Sequence, residues 1–284
     1  MEQKYIIENI KDFNLKHIFE CGQCFRWNKE SEKRYIGVVG QNVVEVEKEN
    51  NKIIFSGVFK GDIKEFCNDY FCLDEDYSLI KNKLSKIDEN LKNSIEYGYG
   101  IRILHQDFWE TLISFIISAN NNIPRIKRII ENLSKAYGKK IVYKTQEYYT
   151  FPTPEELSKG SIEDLRKLGL GFRDKRIYET TKMVLEGKID LRKLEKEDTY
   201  TLREKLLQIP GVGPKVADCI LLFALKRYEV FPIDVWVKRV MSELYFSNEE
   251  ARNTEILKYA NEKFGRLAGL AQQYLFYWRR EKGA

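Results

Sequence analysis

The sequence predicts an α+β protein, a small N-terminal antiparallel sheet followed by a mostly helical body. Three observations carry this prediction. Within the first sixty residues, stretches rich in β-branched and aromatic residues alternate with turn signals. From about Gly61 the apolar spacing becomes helical, and beyond Gly98 proline and glycine punctuate one helical pattern after another. A division there gives residues 1–97, a sheet domain with flanking helices, and residues 98–284, a helical domain.

The predicted strands are FRWNKE, YIGVVG, NVVEVEKE and KIIFSGVF, with GQN and KENNK as turns between them, which makes an antiparallel meander. GDIKEFCNDYF and DYSLIKNKLSKIDENLKNSIEYG then read as helical. DFWETLISFIISA (107–119) is apolar on nearly every side and so belongs at the centre. PRIKRIIENLSKAYG has proline in its first turn and glycine at its end. TPEELSKG and SIEDLRKLG are short helices with Thr153 and Ser161 as N-caps. RDKRIYETTKMVLEG, DTYTLREKLLQI, DVWVKRVMSELYF, NEEARNTEILKYANEKFG and LAGLAQQYLFYWRRE complete the helices, and beyond Gly98 almost nothing else is expected.

The composition is 43% hydrophobic and 32% charged, which excludes a disordered chain, and a net charge of +5 permits a nucleic-acid partner without demanding one. No run approaches the ~18 apolar residues of a membrane span, and the N-terminus lacks the apolar core of a signal peptide. A cytoplasmic, nucleoid-associated protein with no targeting signal and no membrane partner is expected. Five cysteines, an odd number, do not suggest a disulfide framework. Cys21 and Cys24 form a C-x-x-C, but with only His17 and His105 in the chain a zinc site lacks ligands.

The stretch LLQIPGVGPKVADCILLFAL (206–225) is two apolar helices joined by a very tight turn. Pro210 ends the first, and Gly211 and Gly213 permit unusual backbone angles and close approach. The second helix opens at Pro214 with its first N–H groups unpaired, the arrangement that binds phosphate. The dipole disfavours a cation at this helix start, so Lys215 is better explained as a nucleophile working as the neutral amine. Nineteen residues later Asp234 stands at another helix start, where a plain N-cap is the simpler reading. Together, a lysine nucleophile and a carboxylate beside a phosphate-binding turn suggest chemistry on a sugar within a phosphodiester backbone.

LLQIPGVGPKVADCILLFALKRYEVFPIDVWVKRV (206–240) resembles the helix–hairpin–helix, Gly/Pro-rich, aspartate (HhH-GPD) element of base-excision DNA glycosylases, with the hairpin at 209–215. CGQCFRW (21–27), QDFWETLISFIISANNNIPRI (106–126), LGLGFRDKR (168–176) and GLAQQYLFYWRR (269–280) resemble further blocks, in order, of the 8-oxoguanine DNA glycosylase/AP lyase family. The resemblance implies a bifunctional enzyme that flips 8-oxoguanine, preferentially opposite cytosine, out of duplex DNA. Lys215 would attack C1′ and Asp234 would stabilise charge on the sugar. Gly211, Gly213 and Val216 would hold a phosphate. Gly22, Gln272, Phe276 and Cys219 would recognise the damaged base, Gly22 through a carbonyl that meets the N7 hydrogen guanine lacks. Asn120 would fill the vacated place in the duplex, Phe172 would wedge into the stack, and Arg125 and Arg173 would contact the orphaned cytosine.

By the same resemblance no cofactor or catalytic metal is needed, hairpin carbonyls can hold a structural ion, and the protein acts on DNA as a monomer. Cys24, Phe172 and Trp236 stand where many relatives carry serine, tyrosine and histidine, and Pro124 adjoins Arg125. Two alternatives are a related glycosylase for another damaged base and a non-catalytic hairpin DNA-binding module. Monofunctional glycosylases lack the hairpin lysine, and a binding module needs neither Lys215, Asp234 nor Gln272. A protein scaffold built on the sheet has no motif to support it.

Overall fold

The computed structural model describes residues 1–283. Five strands form an antiparallel sheet: β1 (Glu2–Glu8), β2 (Trp27–Ser31), β3 (Arg34–Val39), β4 (Asn42–Glu49) and β5 (Lys52–Val58), in the order β1-β5-β4-β3-β2. The expected meander is β2 to β5. The additional strand, β1, pairs along β5 from Glu2↔Val58 to Glu8↔Lys52. Its polarity hid it: Gln3 points inward and Ile6 outward, against the alternation that marks a strand. Gln3 instead serves the start of the helix Ile63–Tyr70 that follows β5, accepting from Ile63 N at 3.1 Å and donating to Gly61 O at 2.8 Å.

The sheet covers its own core of Phe13, Phe19, Trp27, Tyr35, Phe55 and Phe71. A second, larger core is built on the helix Phe108–Ser118, in which every residue but Glu110 and Ser118 is buried. Burying such Leu, Ile and Phe side chains stabilises by roughly 1.5–3 kcal/mol each. The stretch after Asp76 is two helices, Tyr77–Ser85 and Glu89–Tyr97, and the second is capped by Asp88, which accepts from Leu91 N at 2.8 Å. Both pack on this helical core through Tyr77, Leu84, Leu91 and Ile95. Thr153 and Ser161 are N-caps, as expected, and each also closes a capping box.

The helical body, in which almost everything was expected to be helix, carries a hairpin in the segment between Gly138 and Thr153, to which the sequence assigns no element. β6 (Lys140–Tyr143) and β7 (Gln146–Tyr149) form a hairpin whose turn residues, Lys144 and Thr145, have φ of 47° and 65°. A turn of this shape usually carries Asn or Gly, so the sequence gives no signal for it. The hairpin docks on the sheet, with Tyr143 against Ile36, Val38 and Val43 and Lys144 paired with the buried Glu45 at 2.9 Å.

Candidate active site and DNA interface

Helices Thr199–Leu207 and Pro214–Leu225 flank the tight turn. Gly211 has φ of +87°, and a Cβ there would lie 2.9 Å from Arg176 Cδ and 3.1 Å from Ile116 Cγ2, so only glycine seats the turn on the central helix. Gly213 differs: a Cβ there would meet nothing within 4 Å. It is the N-cap of a helix with no side-chain cap, so the helix's positive end faces open space. Arg203 clamps the two helices with a bidentate bond to Asp218, at 2.6 and 3.2 Å.

Lys215 is half-buried, its Nζ 5.0 Å from the Phe115 ring centroid. One turn further on, Cys219 faces it from the core, and burial pushes its thiol up to about 11 against the pull of Lys215. Asp234 caps helix Val235–Tyr245, with Oδ1 accepting from Val237 N at 2.8 Å, so the cap reading holds for one of its oxygens. Lys215 and Asp234 line a common cleft of about 860 Å³ with Gly22, Phe276, Asn120 and Trp236. A smaller adjoining space of about 30 Å³ is lined by Lys215, Asp234, Gly22, Cys219, Gln272 and Phe276, among others.

Gly22 has φ of +83°, and a Cβ there would lie 3.2 Å from Arg280 Nη1 and 3.3 Å from Phe276 Cε1. Its loop is pinned from three directions. Gln273 Nε2 donates to Cys21 O at 2.6 Å. The buried Gln23 donates to Ile18 O and Arg102 O, and it accepts from Leu104 N. The thiols of Cys21 and Cys24 are free and buried, lying 3.3 and 3.8 Å from the carbonyls of Ile18 and Phe19, so the C-x-x-C is part of the turn. Gln272 is buried with Oε1 unpartnered, an unusual state for a buried acceptor and the one expected of a group awaiting a ligand.

Of the three asparagines after the central helix, Asn121 donates to Ile117 O and Asn122 caps the next helix through Arg125 N. Asn120, with φ of +51°, is exposed at the cleft. Arg125 is also exposed. Phe172 is 56% exposed, an apolar ring projecting beside the cationic groups of Arg173 and Arg176 at 4.2 and 5.2 Å. Arg173 does not lie at the surface. It is 1% exposed, and its guanidinium donates to the carbonyls of Ala119 (3.0 Å), Asn120 (2.8 Å) and Leu170 (3.3 Å). The end of the central helix supplies carbonyls without intrahelical partners, and this arginine satisfies them.

Sequence reasoning singled out neither Gln273, the Arg203–Asp218 clamp nor Arg280. Arg280 had a signal: it continues the spacing of Gln272 and Phe276, four residues apart on one helix face.

Comparison with known proteins bears on the whole chain. Residues 5–112 match the family model of the 8-oxoguanine DNA glycosylase N-terminal domain, and residues 113–266 that of the HhH-GPD superfamily of base-excision DNA repair proteins. An N-glycosylase/DNA lyase of Saccharomyces cerevisiae is 34% identical, over 91% of this chain and 74% of that one. The N-glycosylase/DNA lyase OGG1 of Arabidopsis thaliana is 30% identical, over 93% and 77%. A solved structure of the Clostridium acetobutylicum 8-oxoguanine glycosylase/lyase, bound to duplex DNA with cytosine opposite 8-oxoguanine, superposes with a TM-score of 0.95. It is 42% identical, over 100% of this chain and 99% of that one.

Proposed function

The chain belongs to the 8-oxoguanine DNA glycosylase/AP lyase family, and from that premise we propose how its own residues divide the work. The protein is a bifunctional DNA glycosylase/AP lyase that excises 8-oxoguanine from duplex DNA in base-excision repair. The observation supporting the residue assignment is that Lys215, Asp234, Gly22 and Phe276 line one cleft beneath an uncapped helix start.

In this reading the N–H groups of Gly213, Lys215 and Val216, beside Gly211, hold a backbone phosphate and bring the sugar to the cleft. Lys215 Nζ attacks C1′ and the bond from C1′ to the base breaks; the sugar ring then opens at C1′–O4′, O4′ taking a proton given up by the amine, and a Schiff base forms. β-Elimination then removes a C2′ proton and expels the 3′ phosphate, cutting the strand. Asp234, with one oxygen on Val237 N, turns its charge to the sugar as positive charge develops there. Phe276 stacks on the flipped base, Cys219 contacts its other face, Gln272 Oε1 takes its Watson–Crick edge and the Gly22 carbonyl its N7 hydrogen. Asn120 occupies the gap in the duplex, Phe172 wedges beside it, and Arg125 contacts the orphaned cytosine. Arg173 holds Asn120 and the Phe172 turn together through backbone carbonyls in the free enzyme, and reaching the cytosine requires it to leave them.

Among the described residues no three His, Cys, Asp or Glu gather into a metal site. An ion at the hairpin would rest on backbone carbonyls alone, oxygen donors that suit a hard cation, and its role would be to hold the turn. Among the described residues no helix is long and apolar enough to cross a membrane, and we propose, from its DNA substrate, that the protein is cytoplasmic and nucleoid-associated.

The test is borohydride trapping on a duplex carrying 8-oxoguanine opposite cytosine, beside Lys215→Gln. A covalent adduct with the wild type and none with the variant is the expected result. An adduct with the variant would remove Lys215 from the nucleophile's role.

A further inference from the structure

The C-terminal helix, Ala268–Lys282, presents Gln272, Phe276 and Arg280 along one face. The third of these has no role in the chemistry above, yet it lines the cleft with Gly22, Phe276 and Lys215. Its guanidinium is held from several sides. Nη2 donates to Glu20 O, two residues before Gly22, and to Glu281 at 3.0 Å, and Nε reaches Glu281 at 3.3 Å. The group lies 5.3 Å from the centre of the Phe276 ring. Nη1 is left buried and without a partner, at the point nearest the missing side chain of Gly22. A charged donor kept dry and unpaired is costly unless a ligand completes it.

We propose that Arg280 is a lesion-recognising residue whose Nη1–H donates to O8 of the flipped 8-oxoguanine. This rests on the reading of the cleft given above. The order of the pocket's groups selects the atom. O6, N7 and O8 follow one another along the purine's edge, O6 beside the Watson–Crick face and O8 beside the glycosidic nitrogen. Gln272 lines only the smaller space, Gly22 lines both that space and the cleft, and Arg280 lines only the cleft, so the three follow one another in that order. With Gln272 on the Watson–Crick edge and Gly22 on N7, Arg280 falls beyond Gly22 on the side away from Gln272, where O8 and the sugar lie.

The position decides the sign of the effect. An arginine aimed at N7 and O6 would favour normal guanine. The Gly22 carbonyl occupies the N7 direction, and on the far side guanine has only C8–H, which accepts nothing. Guanine would leave Nη1 unpaired, whereas the oxidised base completes it. A site built around such a bond rejects the analogue lacking the atom.

The experiment compares Arg280→Met, which keeps apolar contact with Phe276 but has no donor, and Arg280→Lys, which keeps a donor. In a Lys215→Gln background, dissociation constants are measured for duplexes carrying 8-oxoguanine or guanine opposite cytosine. The methionine variant should lose about tenfold of the preference, nearly all from the lesion duplex, as one charge-assisted hydrogen bond predicts. The lysine variant should recover part of it. In the active background, base excision is compared with strand cleavage at a preformed abasic site, which has no base to read. An unchanged preference overturns the proposal. So does an equal fall of excision and abasic cleavage in both variants, which would make Arg280 a support of the fold. If the Lys215→Gln parent itself showed no preference for 8-oxoguanine, the reading of the whole cleft would fail first.

Discussion

The two walls of the cleft are built in opposite ways. The hairpin wall comes from one continuous stretch: the turn, Lys215, Cys219 and Asp234 lie within about two dozen residues of one another. The facing wall joins the ends of the chain, with Gln273 bonded to Cys21 across 252 positions and Arg280 to Glu20 across 260. The first is rigid for local reasons, namely a turn only glycine permits and a buried ion pair. The second depends on both cores having formed. Chemistry sits on the local wall and discrimination is shared across the gap, so damage to each wall should have a different signature.

The largest effect belongs to the local wall. Lys215→Gln should abolish excision and leave affinity for the lesion duplex intact, which single-turnover kinetics and binding would separate. Next is the clamp behind it. Arg203→Met strands the Asp218 carboxylate, whose side chain is 6% exposed and whose burial already raises its affinity for a proton. Removing one partner of a buried pair costs on the order of 3 kcal/mol. Chemical denaturation should show that loss, and an unchanged midpoint would mean the hairpin is held by its apolar contacts alone.

Gly22→Ala tests the distant wall. The new methyl must take a left-handed backbone angle and sit 3.2 Å from Arg280 Nη1 and 3.3 Å from Phe276. The strain alone costs roughly 1–2 kcal/mol. The displaced carbonyl should lower the preference for 8-oxoguanine over guanine by about tenfold, since one hydrogen bond is at stake. Cleavage at an abasic site should suffer less. If both activities fell alike, the two walls would be mechanically one.

Legibility in the sequence follows the same divide. The hairpin wall could be read from spacing, because proline, glycine and a misplaced lysine state their reasons within a few residues. Gly22 and Gln272 entered only through resemblance, since nothing local ties positions 250 apart. Arg280 shared the helical spacing of Gln272 and Phe276, but an arginine near a helix C-terminus is already explained by the dipole. Arg173 was expected at the DNA surface. Its burial depends on carbonyls that become free only because the central helix ends at Ala119 and Asn120 takes a positive φ. The strands β6 and β7 escaped for a related reason: they are four residues long and are held by docking on the sheet.

The smallest effect concerns the joint between the Gly22 wall and the central helix on which the hairpin packs. Arg26, next to the Cys21–Phe25 loop, donates to Tyr149 O and lies 3.9 Å from Glu110 on the central helix, with its Nη1 making no hydrogen bond. Partial burial of its side chain, 20% exposed, pushes the Glu110 carboxyl up to about 7, with Arg26 opposing the rise and Asp107 adding to it. In the unfolded chain the same group titrates near 4.5. Between these values the folded protein holds more proton than the unfolded one, so this group makes stability fall as pH rises from about 5 to 7. Above that window its penalty is constant, and below it the group is protonated and neutral in both states. Glu110→Gln keeps the shape and removes the titration. The stability difference between wild type and variant should therefore move in the variant's favour as pH rises through the window and stay level beyond it. A difference independent of pH would mean that the pairing with Arg26 keeps Glu110 charged throughout, and that an ion pair ties the Gly22 wall to the central helix.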